Sequence, residues 1–103
     1  MSVTVFDDID RGDSRTFTFI FTIPGGDPTN PTDRRDPTTA VLTWRTPAGV
    51  ESTPALAHPG VGVFTVDLVL DEELSYWGRI RGTGTITAVD IFEARVRTDV
   101  FAT

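Results

Sequence analysis

This chain offers few side chains of the type and spacing that catalysis needs. Its one histidine, His58, stands in a stretch punctuated by Pro54, Pro59 and Gly60. A Ser–His–Asp triad needs a base held by an orienting partner, so a lone loop histidine reads as a solvated residue. Cysteine is absent, which removes disulfides, thiolate nucleophiles and thiolate metal sites. Zinc sites of the His/Cys kind fail on ligand number. Glu72 and Glu73 are neighbours that point apart on a strand, so they do not form a glycosidase pair. Gly82-Thr83-Gly84 lacks the GK[ST] and the following helix of a phosphate loop. The expectation is a protein that is not an enzyme and that takes no cofactor.

Binding has more to work with. Asp7, Asp8, Asp10 and Asp13 cluster near Gly12. Hard cations favour such carboxylates, but the spacing and terminal Glu of an EF-hand are missing. A polar turn whose Asp side chains bond local backbone is the simpler reading. Arg11-Gly12-Asp13 spells an integrin tripeptide, a match short enough to recur by chance. Asn30-Pro31-Thr32 is barred from glycosylation by its central proline.

Four arginines stand out. Arg79 and Arg81, and then Arg95 and Arg97, take alternate positions on two strand-like runs, opposite the apolar face and near Trp77. If the runs pair, the four form a stripe. Arginine and tryptophan are enriched at protein interfaces, and the guanidinium fork suits carboxylates of a neighbour. A solvated face balanced by Glu93 is the competing reading. Arg34 and Arg35, in a long loop, complete the candidate interface.

The elements that must position these residues show a period of two. Residues 16–23 read TFTFIFTI, with Phe17, Phe19, Phe21 and Ile23 on one face and threonines on the other. Such alternation marks a half-buried strand. Residues 1–6, 38–46, 50–53, 61–70, 75–81, 85–89 and 91–97 read as further strands. In the last, Phe92, Ala94 and Val96 face inward, and Glu93, Arg95 and Arg97 outward. Residues 54–60 read as loop, and residues 71–74 are the one place for a helical turn. Residues 24–37 (PGGDPTNPTDRRDP) contain four prolines and no large apolar side chain. That segment cannot be a central strand. It is either a mobile loop or an arm that orders against a neighbouring subunit.

About seven strands with regular turn signals predict an all-β, antiparallel sandwich. The 103 residues form one domain. Nine basic residues, all arginine, face 15 acidic ones, for a net charge of -6. This argues against binding to nucleic acid through phosphates and against docking on an anionic membrane. No apolar run approaches the ~18 residues of a membrane span, and residues 1–4 lack the plan of a signal peptide. A chain without cysteine suits assembly in a reducing cytoplasm. The lack of lysine, with abundant Arg, Thr, Gly and Asp, suits a GC-rich coding genome.

The order of motifs resembles a group of small immunoglobulin-like structural proteins of tailed bacteriophages. The residues carrying the resemblance are Gly12-Asp13, the Thr/Phe alternation of residues 16–21, Asp36-Pro37-Thr38-Thr39, Gly62-Val63-Phe64, Asp71-Glu72-Glu73, residues 76–79 and Gly82-Thr83-Gly84. They span nearly the whole chain, and the likeness extends to the N-terminal domain of upper-baseplate proteins. It implies a seven-stranded immunoglobulin-like sandwich and a place in the virion. Its partners would be portal or neck, capsid or tail subunits and copies of itself. The departures are the long 24–37 loop and Leu74, which stands where glycine is common. A neck (head–tail connector) or capsid or tail accessory protein is the expected role. The alternative is a free-standing module binding carbohydrate or cell surfaces through Trp77. Trp44 and Tyr76 read as core.

Overall fold

The computed structural model describes residues 3–97, apart from the side chains of residues 3–5, 7 and 8. Among these residues eight strands follow in order: β1 (Val3–Ile9), β2 (Asp13–Ile20), β3 (Thr39–Arg45), β4 (Glu51–Ser52), β5 (Ala57–Gly60), β6 (Val63–Leu70), β7 (Leu74–Thr83) and β8 (Ala88–Val96). They make a larger sheet, β1-β8-β7-β3-β4, and a smaller one, β2-β6-β5. Packed face to face, the two form an immunoglobulin-like β-sandwich. One pair departs from the antiparallel expectation: β1 runs parallel to β8. It does so because β1 and β2 do not form a hairpin. The tight turn after Ile9 instead carries the chain across to the other sheet. Asp13 N–H closes that turn on the Asp10 carbonyl, Gly12 N–H reaches Leu70, and Arg97 N–H reaches Ile9.

The alternation read from the sequence selects the core. Phe17 and Phe21 from β2 and its continuation are buried, as are Leu42 and Trp44 from β3, Val66 and Leu70 from β6, Tyr76 and Ile80 from β7, and Phe92, Ala94 and Val96 from β8. Their aromatic rings form one cluster. Phe17 lies 5.2 Å from Phe92 and 5.7 Å from Trp44, and Trp44 stacks on Tyr76 at 5.3 Å.

Two features place this core in the immunoglobulin plan. Trp44 is the buried tryptophan of the third strand. Tyr76, near the start of β7, accepts a hydrogen bond from Glu72 N–H at 2.8 Å and donates to Asp71 at 3.2 Å. This is the tyrosine corner that ties the turn between the sheets to the strand that follows. Burial pushes the Tyr76 phenol above its ordinary pKa. Two residues beyond such a tyrosine, antibody domains carry a disulfide cysteine. Here that position is Gly78, directly opposite Phe92 in the register. A Cβ at Gly78 would lie 2.2 Å from the Phe92 ring. The missing side chain is what lets Phe92 lie across the centre of the sandwich.

Elsewhere the structure departs from the sequence reading for identifiable reasons. Residues 57–60 are strand, not loop: β5 is an edge, and proline is tolerated where its missing N–H would face solvent. No helical turn forms at residues 71–74, because the tyrosine corner holds that bend. The helical turn is a 3₁₀ turn at Pro31–Asp33, capped by the Asn30 side chain and started by a proline with preset φ. Residues 85–89 and 91–97 are not two strands, since β8 runs through Asp90, which is exposed at its outer end. Residues 24–37 are tied down by their own chain. Ile23 N–H bonds Asp33, Arg35 N–H bonds Phe21, and Pro37 is buried.

Two substitutions test this packing. Gly78→Ala should destabilise by about 2–3 kcal/mol, because the Phe92 ring must leave its place. Thermal melting reads this as a drop of roughly 10 °C or more. Leu74 is 71% exposed and held at a φ of 82°. Left-handed strain costs about 1–2 kcal/mol, against the ~0.5–1 kcal/mol entropic cost of glycine. Leu74→Gly should therefore raise the melting temperature by a few degrees, since little burial is lost.

Candidate interaction surface

The outer face of the larger sheet is built by the same alternation that builds the core. While Tyr76, Gly78 and Ile80 of β7 turn inward, Trp77, Arg79 and Arg81 turn out. The register sets Trp77 between Arg45 on β3 and Glu93 on β8. Trp77 is 41% exposed. It borders a shallow depression of about 380 Å³ that is also lined by Thr43, Arg45, Glu51, Arg79 and Ile91. An aromatic ring within a rim of charged groups is the usual anatomy of a protein contact.

The four arginines share this side, but they do not make one stripe. Pairing is antiparallel: Ser75 lies opposite Arg95, and Arg79 lies opposite Ile91. Arg79 and Arg81 therefore stand toward one end of the sheet, and Arg95 and Arg97 toward the other, with Trp77 and Glu93 between them. Their surroundings differ as well. Arg95 bonds Glu93 at 3.0 Å, and Arg97 bonds Asp10 at 2.6 Å. Arg45 pairs with Glu51. Among the described residues, Arg79 and Arg81 have no ion-pair partner. Local alternation gives all four equal standing, because only pairing register tells which arginine meets which acid.

Glu93, outward by its phase in the sequence, is buried instead, at 6% exposure. It stays charged because its neighbours solvate it. The Arg95 guanidinium and then the Ser75 hydroxyl hold its carboxyl below the usual range. Arg34 and Arg35 serve their own loop. The Arg34 fork binds the Pro28 carbonyl, and Arg35 binds the carbonyls of Thr32 and Arg34.

The acidic groups have structural partners too. Among the Asp7–Asp13 cluster, Asp10 is held below its usual pKa by the hydrogen bond from Arg97. Arg11 reaches the Asp71 carbonyl and Glu73. The side chains of Asp7 and Asp8 lie outside the described ones. Among the described residues no group of three or more His, Cys, Asp or Glu is placed to hold a metal.

One constellation escapes any reading of the sequence alone. Asp36, at the end of the long loop, accepts from Gly62 N–H at 2.6 Å and meets His58 Nε2 at 2.8 Å. His58 stacks flat on Phe64, with centroids 4.4 Å apart. Gly62 is at a φ of 70°, and a Cβ there would lie 2.6 Å from the Phe21 carbonyl. Asp36 thus pins the loop to the start of β6, which explains a carboxylate next to a proline in DPTT. Its signal is long-range and invisible to local pattern.

In comparison with known proteins, the chain matches no protein-family model and no curated sequence.

Asp36, Asp10 and Glu93 are among the carboxyls that shape the acid limb of stability. The Gly62 amide lowers the Asp36 carboxyl most, followed by His58. Because each of the three is depressed in the fold, the unfolded chain takes up protons first as pH falls. The stabilisation is complete above the ordinary carboxylate range of about 4 and is lost below it. The melting temperature should hold at neutral pH and fall from about pH 5 downward. Asp36→Ala should lower it at neutral pH and flatten that acid limb.

Proposed function

We propose that this chain is a non-enzymatic structural component of a tailed-virus virion, in the neck or as a capsid or tail accessory, acting through subunit contacts. The observation that carries the reading is the outer face of the larger sheet. It holds an exposed Trp77 beside Arg79 and Arg81, two cations with no ion-pair partner among the described residues. Such a face fits an acidic neighbouring subunit, since the planar guanidinium binds carboxylates in pairs. The resemblance to small immunoglobulin-like phage proteins supports the same reading across most of the chain. So does the topology, because a rigid sandwich presents a flat face without moving parts. Assembly in the reducing host cytoplasm accords with a core that relies on aromatic packing rather than disulfides.

A free-standing carbohydrate-binding module is the second reading, and Trp77 is the observation that favours it. Sugar platforms usually combine aromatic rings, and here Trp44 and Tyr76 are both buried. Among the described residues that leaves one ring on this face.

The double variant Arg79→Glu with Arg81→Glu reverses the two available charges without touching a described ion pair. It should melt within ~0.5 kcal/mol of the parent, as surface substitutions do, yet be missing from purified particles. Particles that incorporate it normally would remove this face from the assembly. Binding on a glycan array that disappears in Trp77→Ala would transfer the same ring to the carbohydrate reading.

A further inference from the structure

Beyond Arg15, β2 is an edge strand that lacks, among the described residues, the protection that edges normally carry. Among the described residues it pairs with β6 on one side and with no strand on the other. Phe21 N–H bonds the Gly62 carbonyl. By the two-residue alternation of a ladder, the backbone groups of Phe17, Phe19 and Phe21 face β6. Those of Thr16, Thr18, Ile20 and Thr22 therefore point out from the free edge. Proteins usually blunt such an edge with charge, proline or a bulge. Residues 16–23 contain neither charge nor proline, and the register with β6 runs unbroken from Asp13 to Ile20.

Among the described residues the sandwich is open beside this edge. β1 joins β8 only from Ile91 onward, so Ala88, Val89 and Asp90 pair with β7 alone among the described residues. A groove of about 680 Å³ lies between this stretch and β2, lined by Phe17, Phe19, Phe21, Ile80 and Phe92. Phe6 of β1 closes its lower end, with its ring against Phe17 and Phe92.

We propose that a second copy of this chain docks on this edge, β2 against β2, antiparallel about a two-fold axis at Phe19. Charge favours the chain's own copy. Each molecule carries a net charge of -6, but residues 16–23 carry none, so the paired segments themselves are uncharged, with Arg15 and Asp90 at their margins. Parity favours it too. Residues directly opposite in an antiparallel pair share a face. An axis at Phe19 sets Thr18 against Ile20 and Thr16 against Thr22, which joins the outward backbone groups of both strands. Phe17 then falls opposite Phe21, apolar face with apolar face. Shape agrees: the Phe6 ring of β1 meets Phe17 on the lower half of β2, and the groove flanks the upper half. Antiparallel pairing sets the lower half of each copy against the open upper half of the other. The product is one continuous sheet, β5-β6-β2-β2-β6-β5, with an isologous interface that closes on itself. This edge lies on the smaller sheet, away from Trp77, so the dimer holds whether or not the outer face docks on a virion.

Light scattering coupled to size-exclusion chromatography tests this on the full chain. At millimolar concentration the parent should elute with twice its 11.2 kDa mass. Hydrogen exchange at the Thr18 and Ile20 amides should slow as concentration rises, because those amides are paired only in the dimer. Thr18→Pro removes an edge N–H that the monomer does not use, and Ile20→Lys puts a charge on the edge. Both should be monomers with the parent's circular dichroism. A parent that stays monomeric at millimolar concentration overturns the proposal. So does a dimer that persists in both variants, or one that survives Thr18→Pro and is lost on deleting residues 98–103.

Discussion

Phe92 lies across the middle of this sandwich because residue 78, directly opposite it on β7, has no side chain. From that open space the rest of the core follows. Phe17 reaches over from the smaller sheet to meet Phe92, Trp44 packs against both rings, and Tyr76 stacks on Trp44. Aromatic pairs are worth about 0.5–1.5 kcal/mol each beyond their burial. Several in contact reach the ~2–4 kcal/mol that a disulfide typically contributes. An immunoglobulin-like domain without cysteine can therefore hold its two sheets together at the usual point by ring packing alone.

Tyr76 links this core to the chain's corners. Its ring belongs to the cluster, and its hydroxyl holds the Asp71–Glu72 bend. The bend in turn receives Arg11 from the β1–β2 turn. At the other end of the sandwich Asp36 has a similar part, tying the long loop to Gly62 and His58. Much of the acidic surplus thus closes loops. Among the described residues, what remains available on the larger sheet is Trp77 with Arg79 and Arg81, and on the smaller sheet the uncharged edge of residues 16–20. The two surfaces differ in kind. The first offers ion pairing around an aromatic ring, the second backbone hydrogen bonding, and they face different directions. The proposed dimer and the proposed virion contact would therefore use different faces of the sandwich.

Much of the fold is legible in the amino-acid order. The TFTFIFTI run, the inward phase of Phe92, Ala94 and Val96, and the burial of Trp44 all follow from period two, because a strand places successive side chains on opposite faces. Local pattern fails where the deciding partner is distant. Pro59 argues against a strand at residues 57–60, but only the sheet order shows that β5 is an edge where proline is harmless. Asp71-Glu72-Glu73 reads as a helical turn, yet the Tyr76 hydroxyl claims the bend.

The arginines mark the division most clearly. Alternation alone determines that Arg79, Arg81, Arg95 and Arg97 lie on the side away from the core. Which of them pairs is decided by the antiparallel register of β7 and β8, and by β1 bringing Asp10 beside Arg97. Glu93 shows the same limit: its phase is outward, and only the neighbours Ser75 and Arg95 explain how it is buried and charged together. Composition and period therefore determined the fold class, the core and the facing of each strand, because those depend on one residue and its immediate neighbours. Tertiary structure decided the partners, the open edge and the available cations, because those depend on contacts between residues far apart in the chain.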